Sequence, residues 1–346
     1  MIAASQPAQR PRDARLLVID ARGAIMGAPR SRLVDYLRPG DLVVANDAAT
    51  LPASLHGVHL PSGAAIEVRL AGRASLDPRD VHFSAVVFGA GDWRMRTEDR
   101  PPPPPLAPGD RLALGPLAAT IDAVPGHPRL IALRFDGPAA AVWAGIARHG
   151  RPIQYAYLNQ PLALWDVWTP IAALPVAFEA PSAGFALDWR TLGAMRSRGI
   201  GFATITLAAG ISSTGDPALD ARLPLDEPYR ISAAAASAIH RTKAKRGRIV
   251  AVGTTVVRAL EHAGGRGGDG VAKQRIDAYT WLRVVDVILS GTHEPQESHY
   301  QLLRAFQHEA TLALAGSALD AGGYRTHEFG DSVLIERREP RAAIAA

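Results

Sequence analysis

An α/β fold, built as a larger α/β domain interrupted by a smaller all-β insertion, is what this 346-residue sequence predicts. Three observations predict it. Ile249-Val250-Ala251-Val252 is a short, mostly β-branched run that passes through Gly253-Thr254-Thr255 into a segment with helical spacing of apolar residues, closed by Gly264 and Gly265. From His56 to Phe135 helical periodicity disappears, and short alternating segments such as 65–70 and 82–88 follow one another between turn residues, the pattern of a small barrel or sandwich. Helical patterns then return. The expected division assigns 1–55 and 138–346 to the larger domain and 56–137 to the insertion.

Taken in order, the first residues, Met1 to Pro7, lack the charged-then-apolar layout of a secretory signal and are expected to fray. Residues 16–20 and 40–47 read as strands, the second running into a polar turn at Asn46-Asp47. The five prolines at 101–105 cannot occupy a central strand and are expected to form an extended connector. Asp188 caps a helix carrying Leu192 and Met195 that ends at Gly199. Ser232 starts an alanine-rich helix that runs into the basic stretch 240–248. The glycine-rich segment 264–270 does not follow a strand directly, so it is no dinucleotide fingerprint and is expected to be a flexible linker. Residues 284–289 read as a strand. Ser298 with Gln301 resembles a capping box opening one helix through Leu302, Leu303, Phe306 and Leu314, closed near Gly316.

Composition excludes several chemistries. There is no cysteine, hence no disulfide, thiolate or cysteine-ligated metal. No apolar run approaches the ~20 residues of a membrane helix, and a cytoplasmic protein with no membrane partner is expected. The 11 histidines are scattered, with no His-Glu-x-x-His, and His293 and His299 are six apart, so no metal is expected. No Gly-x-Ser-x-Gly elbow and no Walker A pattern occur, which argues against serine hydrolases and P-loop enzymes. The net charge of +5 leans towards an acidic partner, nucleic acid being the usual one. Within 240–248, Arg241, Lys243, Lys245 and Arg246 suit phosphate contact, or simply complement a helix C-terminus.

What remains are polar turns at the ends of apolar segments: 46–47, 180–184, 205–210, 290–295 and 329–331. Ligands of open α/β sheets bind where strands end and loops diverge. The 253–255 turn adds free backbone N–H groups and two hydroxyls under a helix dipole that favours an anion.

Taken together, Gly40-Asp41-Leu42 through Asn46-Asp47, Ile66-Glu67-Val68, Ala180-Pro181-Ser182-Ala183-Gly184, Ala251-Val252-Gly253-Thr254-Thr255 with Arg258 and Leu260-Glu261, Val285-Asp286, His293 with Pro295, and Tyr324-Arg325 with Gly330-Asp331 resemble the S-adenosylmethionine:tRNA ribosyltransferase-isomerase family of queuosine biosynthesis. The match runs nearly end to end. It implies a larger α/β domain with an inserted β-barrel, S-adenosylmethionine as ribosyl donor, tRNA as acceptor, no metal and a monomer. The ribosyl part would move onto the aminomethyl group of a 7-deazaguanine base, with adenine and methionine lost and the ribose rearranged to an epoxycyclopentane. The resemblance assigns proton handling to Glu227 and His293. It assigns the S-adenosylmethionine pocket to Pro181, Ser182, Gly184, Gly210, Gly253, Thr254, Thr255, Arg258 and Asp331; the basic residues Arg241, Lys243, Lys245 and Arg246 would then be the tRNA contacts.

The departures are as informative. Where the family has histidines, this chain has Ala186, Ala208, Arg222 and Leu225; the family's Asn-Thr-Arg is Asp47-Ala48-Ala49, and its Asn-Phe-His-Leu-Pro is Gly291-Thr292-His293-Glu294-Pro295. Four imidazoles and an arginine are gone, and imidazole is the natural proton carrier near neutral pH. Two alternatives follow: an enzyme that cleaves S-adenosylmethionine but acts on a small molecule, or an inactive RNA- or nucleotide-binding paralogue.

Overall fold

A nine-stranded mixed sheet carries the larger domain in the computed structural model, which describes residues 1–295 and 297–339. Its order is Gly268–Ala272, Glu227–Ile231, Gly201–Leu207, Leu42–Asn46, Ile249–Val252, Val287–Gly291, Ser332–Glu336, Arg15–Ile19, Ile25–Pro29. The four strands from Gly201–Leu207 to Val287–Gly291 are mutually parallel, and Glu227–Ile231 and Ser332–Glu336 flank them antiparallel. Leu42–Asn46, Ile249–Val252 and Val287–Gly291 are almost wholly buried because both faces are covered, whereas Gly201–Leu207 is partly exposed. Leu42, Val44, Ile249 and Ala251 face one core, with Val256, Val257, Leu260 and Ile239 of the covering helices. Val43, Ala45, Val250 and Val252 face the other, with Leu33, Val34, Leu187 and Met195. The period of two along each strand sorts its side chains between the two cores.

The insertion is a closed six-stranded barrel, from Ser54–His59 to Leu130–Phe135, so the barrel alternative holds and the sandwich does not. Closure removes the exposed edges that a small sheet would carry. The barrel sits against the loops at the strand ends of the large sheet. Arg222 donates to the carbonyls of Pro125 and Gly126 at 2.8 and 2.6 Å, and a Cβ on Gly210 would stand 3.0 Å from the Ala71 carbonyl.

Asp188 and Ser232 cap their helices as expected, accepting from the N–H groups of Thr191 and Ala235. Four expectations are corrected. The N-terminus does not fray: Ile2–Ala3 pairs with Arg325–Thr326, and buried Ala4 joins Leu158, Leu162 and Phe329. The glycine segment is not a free linker, because Gly268–Ala272 forms an edge strand against Glu227–Ile231, where small residues let Tyr229 pack across. The strand expected at 284–289 lies at Val287–Gly291, since Glu261 engages the N–H groups of Val284 and Val285. The C-terminal helix is two helices, Ser298–Leu303 and Glu309–Ala321, with Glu297 rather than Ser298 at the first N-cap and Gly316 inside the second. The break lets buried Phe306 and Gln307 turn inward, where Gln307 donates to the carbonyls of Asp20 and Glu336 at 3.0 and 2.8 Å.

Barrel closure leaves no room at Gly57, where a Cβ would stand 2.0 Å from the Ala113 carbonyl. Gly57→Ala is expected to open the seam between Ser54–His59 and Arg111–Leu114 and to cost about 2 kcal/mol or more. An unchanged urea midpoint would contradict this account of the seam.

Candidate functional site

The four parallel strands end at one edge, which gathers the turns after Asn46, Leu207, Val252 and Gly291. The antiparallel flanking strands begin at that edge, so Glu227 and Asp331 reach it from distant parts of the sequence. Asn46 binds neighbouring strand ends together: its amide donates to the Leu207 carbonyl at 2.9 Å, and its oxygen accepts from the N–H groups of Leu207 and Ala48 at 3.0 Å. The 180–184 turn arrives through Phe178, whose N–H donates to the Ala209 carbonyl at 2.8 Å. Ala183 then lies 3.7 Å from where a Cβ on Gly253 would be, which brings Pro181, Ser182 and Gly184 beside the Gly253 turn.

Gly253 has φ +96°, a conformation that favours glycine, and the Thr254–Ala263 helix begins with no side chain capping its first N–H groups. Thr254 is buried and Thr255 half-buried. The arrangement offers directed donors and the positive end of a helix dipole at the sheet edge.

One turn along the helix, Arg258 meets Glu227 in an ion pair whose members are 3% and 2% exposed. Arg258 also donates to the carbonyls of Ala272 and Gln274 at 3.0 and 3.1 Å, and the Gly210 N–H donates to Glu227 at 3.1 Å. Burial pushes the Glu227 carboxyl up, while Arg258 and the Gly210 N–H pull it back. Asp331 is buried and serves the backbone: it accepts from the N–H groups of Arg15 and Arg325 at 2.7 and 2.8 Å, and pairs with the Arg15 side chain.

His293 is oriented at both nitrogens, by the Ser290 hydroxyl at 2.9 Å and by Glu297 at 3.1 Å. The His299 ring centre lies 4.8 Å from that of His293, and burial, with His293 beside it, pushes the His299 imidazole down to about 3. Single donor atoms of His293, Glu297 and His299 all lie within 4.8 Å of one another. Two imidazoles and a carboxylate could relay a proton or hold a divalent cation. The spacing of six had argued against a shared centre; the turn before the Ser298–Leu303 helix folds the two histidines together regardless.

A second cluster gathers around Glu179 and Glu328, with His327 at its side. Glu179 accepts from the N–H and hydroxyl of Ser212 at 3.0 and 2.7 Å and from the Tyr155 hydroxyl; Tyr157 donates to Glu328 and stacks on His327 at 4.1 Å. Burial and the neighbouring Glu328 push Glu179 up to about 7. The loop after Leu207 therefore gives its Gly210 N–H to Glu227 and its Ser212 N–H to Glu179. These residues come from four separated segments, each an ordinary Glu or Tyr in its own context, so no local signal could have found them.

The positions that lack the expected imidazoles do structural work. Ala186 and Ala208 are buried, Leu225 packs against the core, and Arg222 clamps the barrel. The basic stretch lies at the opposite edge: Arg248 pairs with Asp41, which precedes the Leu42–Asn46 strand, roughly 15 Å from that strand's far end. Arg241, Lys245 and Arg246 are exposed there, whereas Lys243 is engaged with Asp286 at 3.3 Å and the Val284 carbonyl at 3.2 Å.

Arg258→Met, which strands a buried carboxylate, is expected to cost about 3–5 kcal/mol in urea unfolding, and adding Glu227→Leu to recover part of it; equal losses in single and double variants would contradict the pairing. Because the folded state raises Glu179 from 4.5 to about 7, it binds more protons than the unfolded chain between those values. Stability from this group should fall as pH rises through that window and level off above it. Glu179→Gln should flatten that segment of the stability–pH curve, and an unchanged slope would refute the assignment.

A family model described as queuosine biosynthesis protein matches residues 1–335. Proteins named S-adenosylmethionine:tRNA ribosyltransferase-isomerase are 34% identical in Gloeobacter violaceus (96% of this chain, 92% of that one), 33% in a Methylobacterium species (96% and 94%) and 32% in Anaeromyxobacter dehalogenans (95% and 94%). The crystal structure of S-adenosylmethionine tRNA ribosyltransferase from Thermotoga maritima shares the fold, at TM-score 0.50 and 23% identity over 96% of each chain. The sheet with its inserted barrel, and a match spanning nearly the whole length, lead to one conclusion: this chain belongs to the queuosine biosynthesis protein family.

Proposed function

We propose that this protein moves the ribosyl part of S-adenosylmethionine onto the aminomethyl group of a 7-aminomethyl-7-deazaguanine base in tRNA. Adenine and methionine leave, and the ribose rearranges to an epoxycyclopentane. The observation that carries this reading is the uncapped helix start at Gly253-Thr254-Thr255, at the centre of the strand-end edge, in a chain matched from end to end by relatives bearing that name. Among the described residues no helix is long and apolar enough to cross a membrane, which suits a cytoplasmic site of action.

In this reading the donors of Thr254 and Thr255 receive the methionine carboxylate or the ribose, and Pro181, Ser182, Gly184 and Gly210 form the adjoining walls. The reaction requires a base for the acidic proton beside the sulfonium and stabilisation of developing charge. His293, held between Ser290 and Glu297, is the base. Glu227 takes part as a partner of Arg258, with its carboxylate lone pairs directed by Gly210 and the guanidinium. Arg258 and Asp331 hold the walls at fixed separation.

Incubation with S-adenosylmethionine, with and without tRNA carrying 7-aminomethyl-7-deazaguanine, separates the possible activities. Adenine release that depends on the modified tRNA is expected. Release without tRNA would assign a small-molecule acceptor, the reading that the lost imidazoles favour, and no release at all would leave a binding protein. His293→Ala is expected to lower turnover about 10²–10⁴-fold while S-adenosylmethionine binding persists. Full activity in that variant would remove His293 from the mechanism.

A further inference from the structure

The face away from the strand-end edge carries two adjoining grooves. One, of about 420 Å³, is lined by Ala236, Ser237, His240, Arg241, Arg266 and Gly267. The other, of about 250 Å³, shares His240 and continues past Gly264 and Gly265 to Arg283. No Asp or Glu occurs from residue 231 to 260, which includes the whole Ala233–Ala244 helix. Among the described residues, the side chains of Arg241, Lys245, Arg246, Arg266 and Arg283 make no hydrogen bond or ion pair. Elsewhere some exposed arginines, such as Arg32 and Arg111, pair with Asp35 and Asp136, while others, such as Arg79, Arg148 and Arg190, have no carboxylate partner among the described residues; what distinguishes this face is that its cations line adjoining grooves.

On the loop that leads to Arg283, Tyr279 is 95% and Trp281 74% exposed. Their loop, 273–286, is firmly anchored. Glu261 accepts the N–H groups of Arg283, Val284 and Val285 at 2.8–3.0 Å, Arg337 holds the Leu282 carbonyl at 2.6 Å, and Ile276 and Leu282 are buried. An anchored loop that turns two aromatic rings into water between arginines has the composition of a stacking platform for unpaired bases. The loop also joins the two edges of the sheet. It leaves the site at Gln274, which accepts from Arg258 through its carbonyl, and reaches the far edge at Asp286, which accepts from Lys243.

We propose that the tRNA lies along this face, its phosphates on Arg241, Lys245, Arg246, Arg266 and Arg283 and unpaired bases on Tyr279 and Trp281, so that loop 273–286 guides the strand from the basic grooves to the strand-end site. The inference rests on the reading of tRNA as acceptor. It explains how cations at the far edge serve a site at the near one. It also extends the contact surface beyond the 240–248 stretch and releases Lys243 from it, since that ammonium holds the loop in place.

The test is binding of a fluorescently labelled, unmodified tRNA transcript to the full chain across a salt series. Arg241→Ala/Arg266→Ala/Arg283→Ala is expected to weaken binding and to reduce the slope of log affinity against log salt by two to three, about 0.7–0.9 per phosphate contact. Trp281→Ala should weaken binding roughly tenfold with the slope unchanged, because stacking releases no counterions. S-adenosylmethionine binding should stay within about twofold in all variants, which reports intact folding. Wild-type affinity for tRNA in both variants would overturn this surface while leaving the acceptor untouched. Equal affinity and slope for a DNA duplex of the same length would overturn it as a tRNA surface. Adenine release that needs no tRNA would instead refute the acceptor itself.

Discussion

The buried pair of Glu227 and Arg258 organises the strand-end edge. Two charges removed from water cost several kcal/mol each unless each is fully partnered, and here both are. The guanidinium reaches the carboxylate and the carbonyls of Leu225, Ala272 and Gln274, while the carboxylate also takes the Gly210 N–H. One interaction therefore joins the helix above the central crossover to the antiparallel flank of the sheet and to the loop that meets the barrel. The position of the 208–213 loop, and through Ser212 the position of Glu179, follows from it.

That arrangement changes how the lost imidazoles are to be understood. Their positions are not vacant: two are buried apolar core, one packs against the core, and Arg222 secures the barrel. Titratable groups gather elsewhere along the same edge, in the His293–Glu297–His299 cluster and in the cluster of Glu179, Glu328 and the two tyrosines. Perturbed acids in a cleft at strand ends are the usual material of proton transfer. The edge thus offers more carboxylate and less imidazole to the proposed reaction, beside the uncapped helix start proposed to receive S-adenosylmethionine.

Charge is distributed with the same economy. Some exposed arginines, such as Arg32 and Arg111, are balanced locally by a carboxylate, whereas Arg241, Arg246, Arg266 and Arg283 are unbalanced and lie near the helix that lacks any acidic residue. A basic pI could equally have come from scattered arginines. The proposed surface rests on their placement along adjoining grooves and on the exposed Tyr279 and Trp281.

Much of the architecture was legible in the chain itself. Four apolar residues before Gly253, the caps at Asp188 and Ser232, and the loss of helical period after His56 are local signals, and local backbone preference is what such signals report. The glycine strand at Gly268–Ala272 and the break before Phe306 were not legible, because a neighbouring strand and a buried core decide them. The site divides in the same way. The strand-to-helix turn at Gly253 with its two threonines could be read from the order of residue types alone, and its binding role is part of the proposal. That Glu227 answers Arg258, that His299 folds onto His293, and that Glu179 sits near Glu328 depend on contacts between segments far apart in sequence, and only the tertiary structure decided them.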